Sequence, residues 1–168
     1  MQATAEKQSG AADTLSREGK YLTFELCGEE YGLEILKVRE IIGIMGITPV
    51  PQTPKFIKGV INLRGKVIPV VDLRLKFGFD EVDYTKETCI IVVEVKSVLT
   101  GIIVDTVSEV LDITNEELET TPNLGEDVNT DIFIGVAKIK DKVKILLDLD
   151  KILGTEEINL VESLSAIR

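Results

Sequence analysis

Three acidic pairs, Glu29-Glu30, Glu116-Glu117 and Glu156-Glu157, are the first candidates for chemistry in this chain. Two neighbouring carboxylates held in unlike environments can act as acid and base, as in a small hydrolase. Such an enzyme needs a deep pocket with two carboxylates close together. The surroundings favour a plainer role: the first pair flanks a tight turn at Gly28-Glu29-Glu30, and the other two open helical patterns, where the macrodipole favours acids. Asp127, Asn129 and Asp131 alternate like calcium ligands but lack the loop glycine and the closing glutamate. Asp105 and Asp112 offer nothing better. Cys27 and Cys89 lie in the strand-like contexts F-E-L-C-G and E-T-C-I-I-V-V and read as small buried hydrophobes, too few and too far apart for a metal. The chain has no histidine, which removes the commonest general base and metal ligand. It also lacks G-x-G-x-x-G, G-x-x-x-x-G-K-[ST], G-x-S-x-G and H-E-x-x-H. The residues point to no catalytic site, no metal and no cofactor.

The whole chain bounds the remaining possibilities. Its 168 residues suffice for one domain with a substantial core. Aromatics are 5% and tryptophan is absent, so Val, Ile and Leu must build that core. The net charge of -10 repels phosphate backbones and anionic lipid, which argues against nucleic acid and membrane surfaces as partners. No apolar run approaches the roughly 20 residues of a membrane span. The first 19 residues read as a disordered leader without a signal-peptide core. The expected compartment is a reducing cytoplasm.

Strand signals dominate from Tyr21. Y-L-T-F-E-L alternates, Y-G-L-E-I follows, and K-V-R-E-I-I-G reads as a third strand. Residues 43–54, with Pro49, Pro51 and Pro54, form a loop. G-V-I-N-L and K-V-I-P-V-V-D-L make a hairpin whose tip is Arg64-Gly65. D-L-R-L-K-F-G is a short helical turn with Asp72 as N-cap and Gly78 as the C′ residue. A polar connector leads to T-C-I-I-V-V-E-V and T-G-I-I-V-D-T-V-S-E-V-L, two continuous strands expected to be buried on both faces. Thr114 to Glu117 is a capping-box pattern that should open a short helix. Residues 120–131 are loop. A second hairpin turns at Lys140-Asp141. Ile158, Val161, Leu164 and Ile167 mark an amphipathic C-terminal helix over 156–168.

The chain repeats itself. Residues 59–78 lie without a gap over 135–154, sharing Gly, Val, Lys, Val, Asp, Leu and Gly. Upstream, Y-G-L-E-I-L-K-V-R-E-I-I lies over T-G-I-I-V-D-T-V-S-E-V-L, matching Val38 with Val107 and Glu40 with Glu109. Units so small are marginal alone. The repeat predicts a mainly β domain over 20–155, two packed small barrels of roughly 20–82 and 86–152 with an exchange of strands left open. The copies part at the hairpin tip. The fold needs the apolar ladder in both and an arginine in neither. One loop is unusual: Ile44, Met45 and Ile47 sit between glycines, and either cap a barrel end or form an exposed patch for a partner.

The segments E-E-Y-G-L-E-I-L-K-V-R-E-I-I, T-P-K-F-I-K-G-V-I-N-L-R-G-K-V-I-P-V-V-D-L-R-L-K-F and G-I-I-V-D-T-V-S-E-V-L closely resemble the CheW family of bacterial chemotaxis coupling proteins, from about Tyr21 to Ser163. The resemblance implies two SH3-like five-stranded barrels with short helices and a C-terminal helix. It implies a non-catalytic adaptor that bridges methyl-accepting chemoreceptors to the regulatory domain of the histidine kinase CheA, in cytoplasmic arrays held at the membrane through the receptors. An adaptor for a non-flagellar pathway fits the same residues. The receptor groove of the family is similar to Val38, Glu40, Gly59, Asn62, Arg64 and Val107 here, and the kinase-facing surface to Ile41, Gly43, Met45 and Ile47. Several of these have structural readings of their own. Val38 and Val107 suit a core, Gly59 recurs as Gly135, and Glu40 can pair with Arg64 or a lysine. Arg64 has the weakest structural explanation.

Overall fold

Among the described residues, alternating and β-branched runs make eleven strands, and the order in which they pair decides the architecture. A computed structural model describes residues 18–119, 132–152 and 155–165. The strands are β1 (Gly19–Leu26), β2 (Glu29–Glu34), β3 (Val38–Gly43), β4 (Ile57–Leu63), β5 (Lys66–Asp72), β6 (Cys89–Val95), β7 (Val98–Val104), β8 (Thr106–Ile113), β9 (Leu118–Glu119), β10 (Phe133–Ile139) and β11 (Lys142–Leu147). The helices are α1 (Leu73–Lys76), α2 (Leu149–Ile152) and α3 (Thr155–Ser165).

One sheet has the order β3-β6-β7-β5-β4 and the other β8-β1-β2-β11-β10-β9. Each draws strands from both sequence copies. The hairpin β1–β2 joins the late strands, and β6–β7 joins the early ones. Both exchanged hairpins attach through a parallel pair, β2 with β11 and β7 with β5. Each sheet then rolls up. After β3 the chain returns to bridge β4 at Thr48 and Val60, and after β8 it returns as β9 to pair with β10. The results are two barrels, the first built on β3–β7 and the second on the remaining strands.

Among the described residues, three of the four apolar clusters follow from this layout. Ile61, Ile68, Val70, Ile90, Val92 and Ile103 fill the first barrel, and Tyr21, Ile113, Ala137 and Leu146 the second. The largest cluster lies between them, with Leu22, Phe24 and Leu33 from one sheet against Ile91, Val93 and Val104 from the other. Burying it stabilises the pair of barrels by about 25 cal/mol per Å² of apolar surface. Val161 of α3 joins this cluster, and Leu164 packs on Ile57 and Val71.

The expected caps are present. Asp72 accepts from the Arg74 and Leu75 N–H groups at 3.0 and 3.4 Å. At the other end of α1, Gly78 is left-handed (φ 85°), its N–H donates to Leu75 and that of Phe79 to Arg74. This double bond is the Schellman arrangement.

Other expectations need correction. The first turn is Cys27-Gly28, so Cys27 is exposed with φ 53° instead of buried, and Glu29-Glu30 already belong to β2. Glu30 takes the ammonium of Lys144 on the parallel neighbour. The third strand starts at Val38, after a 3-10 turn at Ile35–Lys37. The run from Thr100 to Leu111 breaks at Asp105 into strands of different barrels, and β8 is largely exposed. The capping-box bond forms, Thr114 N–H to Glu117 Oε1 at 3.0 Å, but no helix follows. Leu118 and Glu119 are taken up by pairing with Ala137 and Val136 instead. The leader to residue 17, the loop 120–131 with Asp127, Asn129 and Asp131, the side chain of Ile158, and Ile167 lie outside the described residues.

Candidate functional site

The Arg64-Gly65 tip is a two-residue hairpin turn with φ 50° and 87°, both left-handed as a type I′ turn requires. Glycine is at ease there and arginine is not. Asn62 supports the turn, its Oδ1 accepting the Gly65 N–H at 2.9 Å. The Arg64 guanidinium reaches Glu40 on β3, donating from Nη2 to Oε1 and, at 3.3 Å, from Nη1 to Oε2. This hydrogen bond raises the pKa of Arg64. β3 and β4 are the two edges of the first sheet, so the ion pair spans the seam where that barrel closes. The arginine nevertheless leaves 68% of its side chain in solvent.

Gly59 serves the same seam from behind. Its φ is 142°, and a Cβ there would lie 2.0 Å from the Thr48 carbonyl oxygen. Only glycine lets the returning loop bridge to Val60. Gly135 does the equivalent work against Glu119. Gly59 is therefore a backbone residue of the site and offers no surface of its own.

Val38 and Val107 stand at the start of β3 and β8, one in each barrel, and both pack half-buried on the apolar cluster between the barrels. The seam between the barrels is thus edged by a valine from each. Glu40 is on β3 two residues beyond Val38. The expected receptor residues divide into this valine pair and a polar tip of Glu40, Asn62 and Arg64.

Of the expected kinase-facing residues, Ile41 and Gly43 are exposed on β3. Ile41 lies opposite Ile91 and Glu40 opposite Val92, whose side chains enter different clusters, so these two residues take opposite faces of β3, while Val38, opposite Val93, shares the face of Ile41. Met45 and Ile47 are half-buried against the core of the first barrel and, with Ile44, Pro49, Lys55 and Tyr84, line a shallow depression at its end. They cap the barrel and at the same time floor a surface.

Two features escaped the sequence reading. Leu36, in the 3-10 turn just before Val38, is 85% exposed. It shares a depression with Lys37, Arg39, Glu94 and Asp150, whose two carboxylates are each tied to a cation, Glu94 to Arg39 and Asp150 to Lys37. The other feature is the bidentate pair of Arg74 and Asp105. Asp105 stood in an apolar run, and nothing local marked it as a crossing point between barrels. A mostly apolar cavity of about 380 Å³ is lined by Tyr31, Phe77, Phe79, Phe133 and neighbours and holds no carboxylate. Among the described residues no group of three or more His, Cys, Asp and Glu could hold a metal ion, and no helix is long and apolar enough to cross a membrane.

Two small barrels that trade hairpins, share one core and edge their seam with matching residues define a two-barrel scaffold of the SH3-like kind. Residues 20–157 match the model of the CheW-like domain, and the chain belongs to that family. It is 40% identical over 163 residues to the chemotaxis protein CheW of Klebsiella aerogenes, covering 97% of this chain and 96% of that one. It is 39% identical over 153 residues to the CheW of Thermotoga maritima, covering 90% and 96%. The crystal structure of the scaffolding protein CheW from Thermoanaerobacter tengcongensis superposes with a TM-score of 0.76 at 38% identity, over 83% of this chain and 95% of that one.

Proposed function

We propose that this chain is a non-catalytic chemotaxis adaptor that couples methyl-accepting chemoreceptors to the histidine kinase CheA in signalling arrays, without a cofactor. Receptors meet Val38, Glu40, Asn62, Arg64 and Val107, with Gly59 holding the backbone behind them. The kinase regulatory domain meets Ile41, Gly43, Met45 and Ile47 on the first barrel. The protein works in the cytoplasm and reaches the membrane only through receptors.

The observation that carries this reading is the inequality of the two hairpin tips. The same turn is built twice, and only one copy holds a guanidinium in solvent, paired with Glu40 two residues beyond the seam valine Val38. An amphipathic receptor helix laid along that seam would place apolar residues on Val38 and Val107 and a carboxylate or carbonyl on Arg64. Glu40 and Ile41 lie on opposite faces of β3, which lets the polar tip and the exposed isoleucine meet different partners.

The test is Arg64→Glu in a reconstituted receptor–kinase assembly. The thermal midpoint should stay unchanged while receptor binding and kinase control are lost. A variant that unfolds would make Arg64 structural and defeat the reading. Met45→Asp should weaken binding of the kinase regulatory domain and spare receptor binding. Unchanged calorimetric affinity would remove that loop from the kinase surface.

A further inference from the structure

The chain passes between the barrels at two repeat-related places, and each is pinned by an ion pair with the charges reversed. From β7 it enters β8 through the single residue Asp105. That carboxylate takes Arg74 in two bonds, Nε to Oδ1 at 2.8 Å and Nη2 to Oδ2 at 2.9 Å. Its Oδ2 also accepts the Cys27 N–H at 3.0 Å. Arg74 is in α1, at the end of the first barrel's β4–β5 hairpin. Cys27 is in the β1–β2 turn of the second barrel. From β2 the chain enters β3 through Ile35–Lys37, and there Lys37 Nζ donates to Asp150 Oδ2 at 3.1 Å. Asp150 is in α2, at the end of the second barrel's β10–β11 hairpin. Arg74 and Asp150 hold the same place in the repeat, each just after the opening leucine of its helix, Leu73 or Leu149.

We propose that these two clamps set the angle between the barrels, and that Arg74, Asp105, Lys37 and Asp150 are positioning residues for the receptor seam. This deepens the function proposed above and rests on its reading of the seam. Val38 directly follows Lys37, and Val107 lies two residues past Asp105, so a rotation at either crossing displaces a seam valine. A guanidinium bound through two nitrogens fixes orientation as well as distance, whereas an ammonium acts as a point charge. The Arg74–Asp105 side chains are 16% and 29% exposed, against 33% and 40% for Lys37–Asp150. Asp105 uses both oxygens, while Asp150 Oδ1 is buried without a partner among the described residues. The Asp105 clamp is the stiffer one.

Spin labels at Lys66→Cys and Val143→Cys, exposed positions in different barrels, read the angle as a distance distribution in a Cys27→Ser, Cys89→Ser background. Asp105→Asn should broaden this distribution and lower affinity for a receptor hairpin tip about tenfold, which is close to 1.4 kcal/mol. Affinity for the kinase regulatory domain, which meets one barrel only, should hold. Lys37→Asp should broaden the distribution less, and adding Asp150→Lys should narrow it again. That reversal keeps the test open should Asp105→Asn fail to fold. An unchanged distribution, or no restoration by the reversed pair, overturns the clamps. A broadened distribution with full receptor affinity overturns their bearing on the seam, provided Arg64→Glu abolishes receptor binding in the same assay. If Arg64→Glu also binds normally, the seam reading itself is what fails.

Discussion

The β4–β5 and β10–β11 hairpins are the same object built twice and used differently. Both tips are left-handed at both central residues, Arg64-Gly65 at 50° and 87° and Lys140-Asp141 at 51° and 67°. Both first strands shift register at a glycine, between Ile57 and Gly59 and between Phe133 and Gly135. Both second strands run into an aspartate and a short helix. Among the described residues, only the first tip is tied to another strand, by Arg64 and Glu40. Glu109, the mate of Glu40, gives its backbone to Thr23, accepting at 2.8 Å and donating at 3.1 Å, and leaves its carboxylate in solvent. The copies agree in the glycines and register shifts that close each barrel and part at the hairpin tips.

The largest effects should appear at the glycines, where the copies agree. Gly59→Ala places a Cβ against backbone atoms of Thr48 and Pro49 in a left-handed conformation, which nothing nearby can relieve. It should cost about 4 kcal/mol or more in urea denaturation. Gly135→Ala meets the Glu119 carbonyl at 2.4 Å, but β9 is only two residues long and can yield. About 2 kcal/mol is expected there. Equal costs would show that β9 closes its barrel as firmly as the Thr48 bridge closes the other.

The aspartates that end the hairpins should come next. Asp72 is buried, caps α1 and also accepts the Tyr84 hydroxyl at 2.8 Å. Its mate Asp148 is half-exposed and accepts the Asp150 N–H at 3.1 Å. Asp72→Ala should cost about 3 kcal/mol, because it leaves three half-buried donors unpaired, and Asp148→Ala about 1 kcal/mol.

Tyr84→Phe should cost about 1 kcal/mol at neutral pH. It should also change the alkaline response. Burial, reinforced by the bond to Asp72, raises the Tyr84 pKa well above its ordinary value of 10.0. The folded state then keeps a proton that the unfolded state releases. The contribution is complete below about pH 10 and is lost as the pH rises further. Urea midpoints measured upward from that pH should fall more steeply for the parent than for Tyr84→Phe. Parallel curves would mean that the hydroxyl titrates normally.

What was legible in the sequence was whatever a single strand or turn decides. The hairpins, the Asp72 cap, the Gly78 stop and the repeat all follow from residues near one another in the chain. The repeat also led to the two barrels, and the unequal tips led to Arg64. What was not legible depends on which strand lies beside which. Cys27 looked like a core residue because F-E-L-C reads as one strand, yet the turn falls one residue earlier than Gly28 suggested. The run through Asp105 looked continuous because Val and Ile flank it. Only the exchange of hairpins requires a break there, and only Arg74 and Cys27, both distant in sequence, explain the aspartate. Thr114 and Glu117 form their local bond, but the β10 edge claims the next residues. The resemblance to coupling proteins carried the assignment of partners, which no local pattern contains.

The smallest effect on stability, and the most discriminating, should come from putting the same residue at both tips. Type I′ turns favour asparagine at the first central position, because it tolerates the left-handed backbone that arginine and lysine resist. Lys140→Asn should therefore raise the thermal midpoint slightly and change nothing else, since Lys140 makes no hydrogen bond or ion pair among the described residues. Arg64→Asn gains the same turn preference and loses an ion pair that is largely in solvent, where such pairs contribute little. Its midpoint should stay level or rise, while binding of a receptor hairpin tip is lost. Thermal melts and binding measured on the two variants side by side decide the point. A midpoint that falls at Arg64 and rises at Lys140 would make the Glu40 pair a clasp on the barrel edges, and the arginine would owe its place to the fold. Level midpoints with lost binding would leave only the partner to explain why an awkward residue occupies an otherwise ordinary turn.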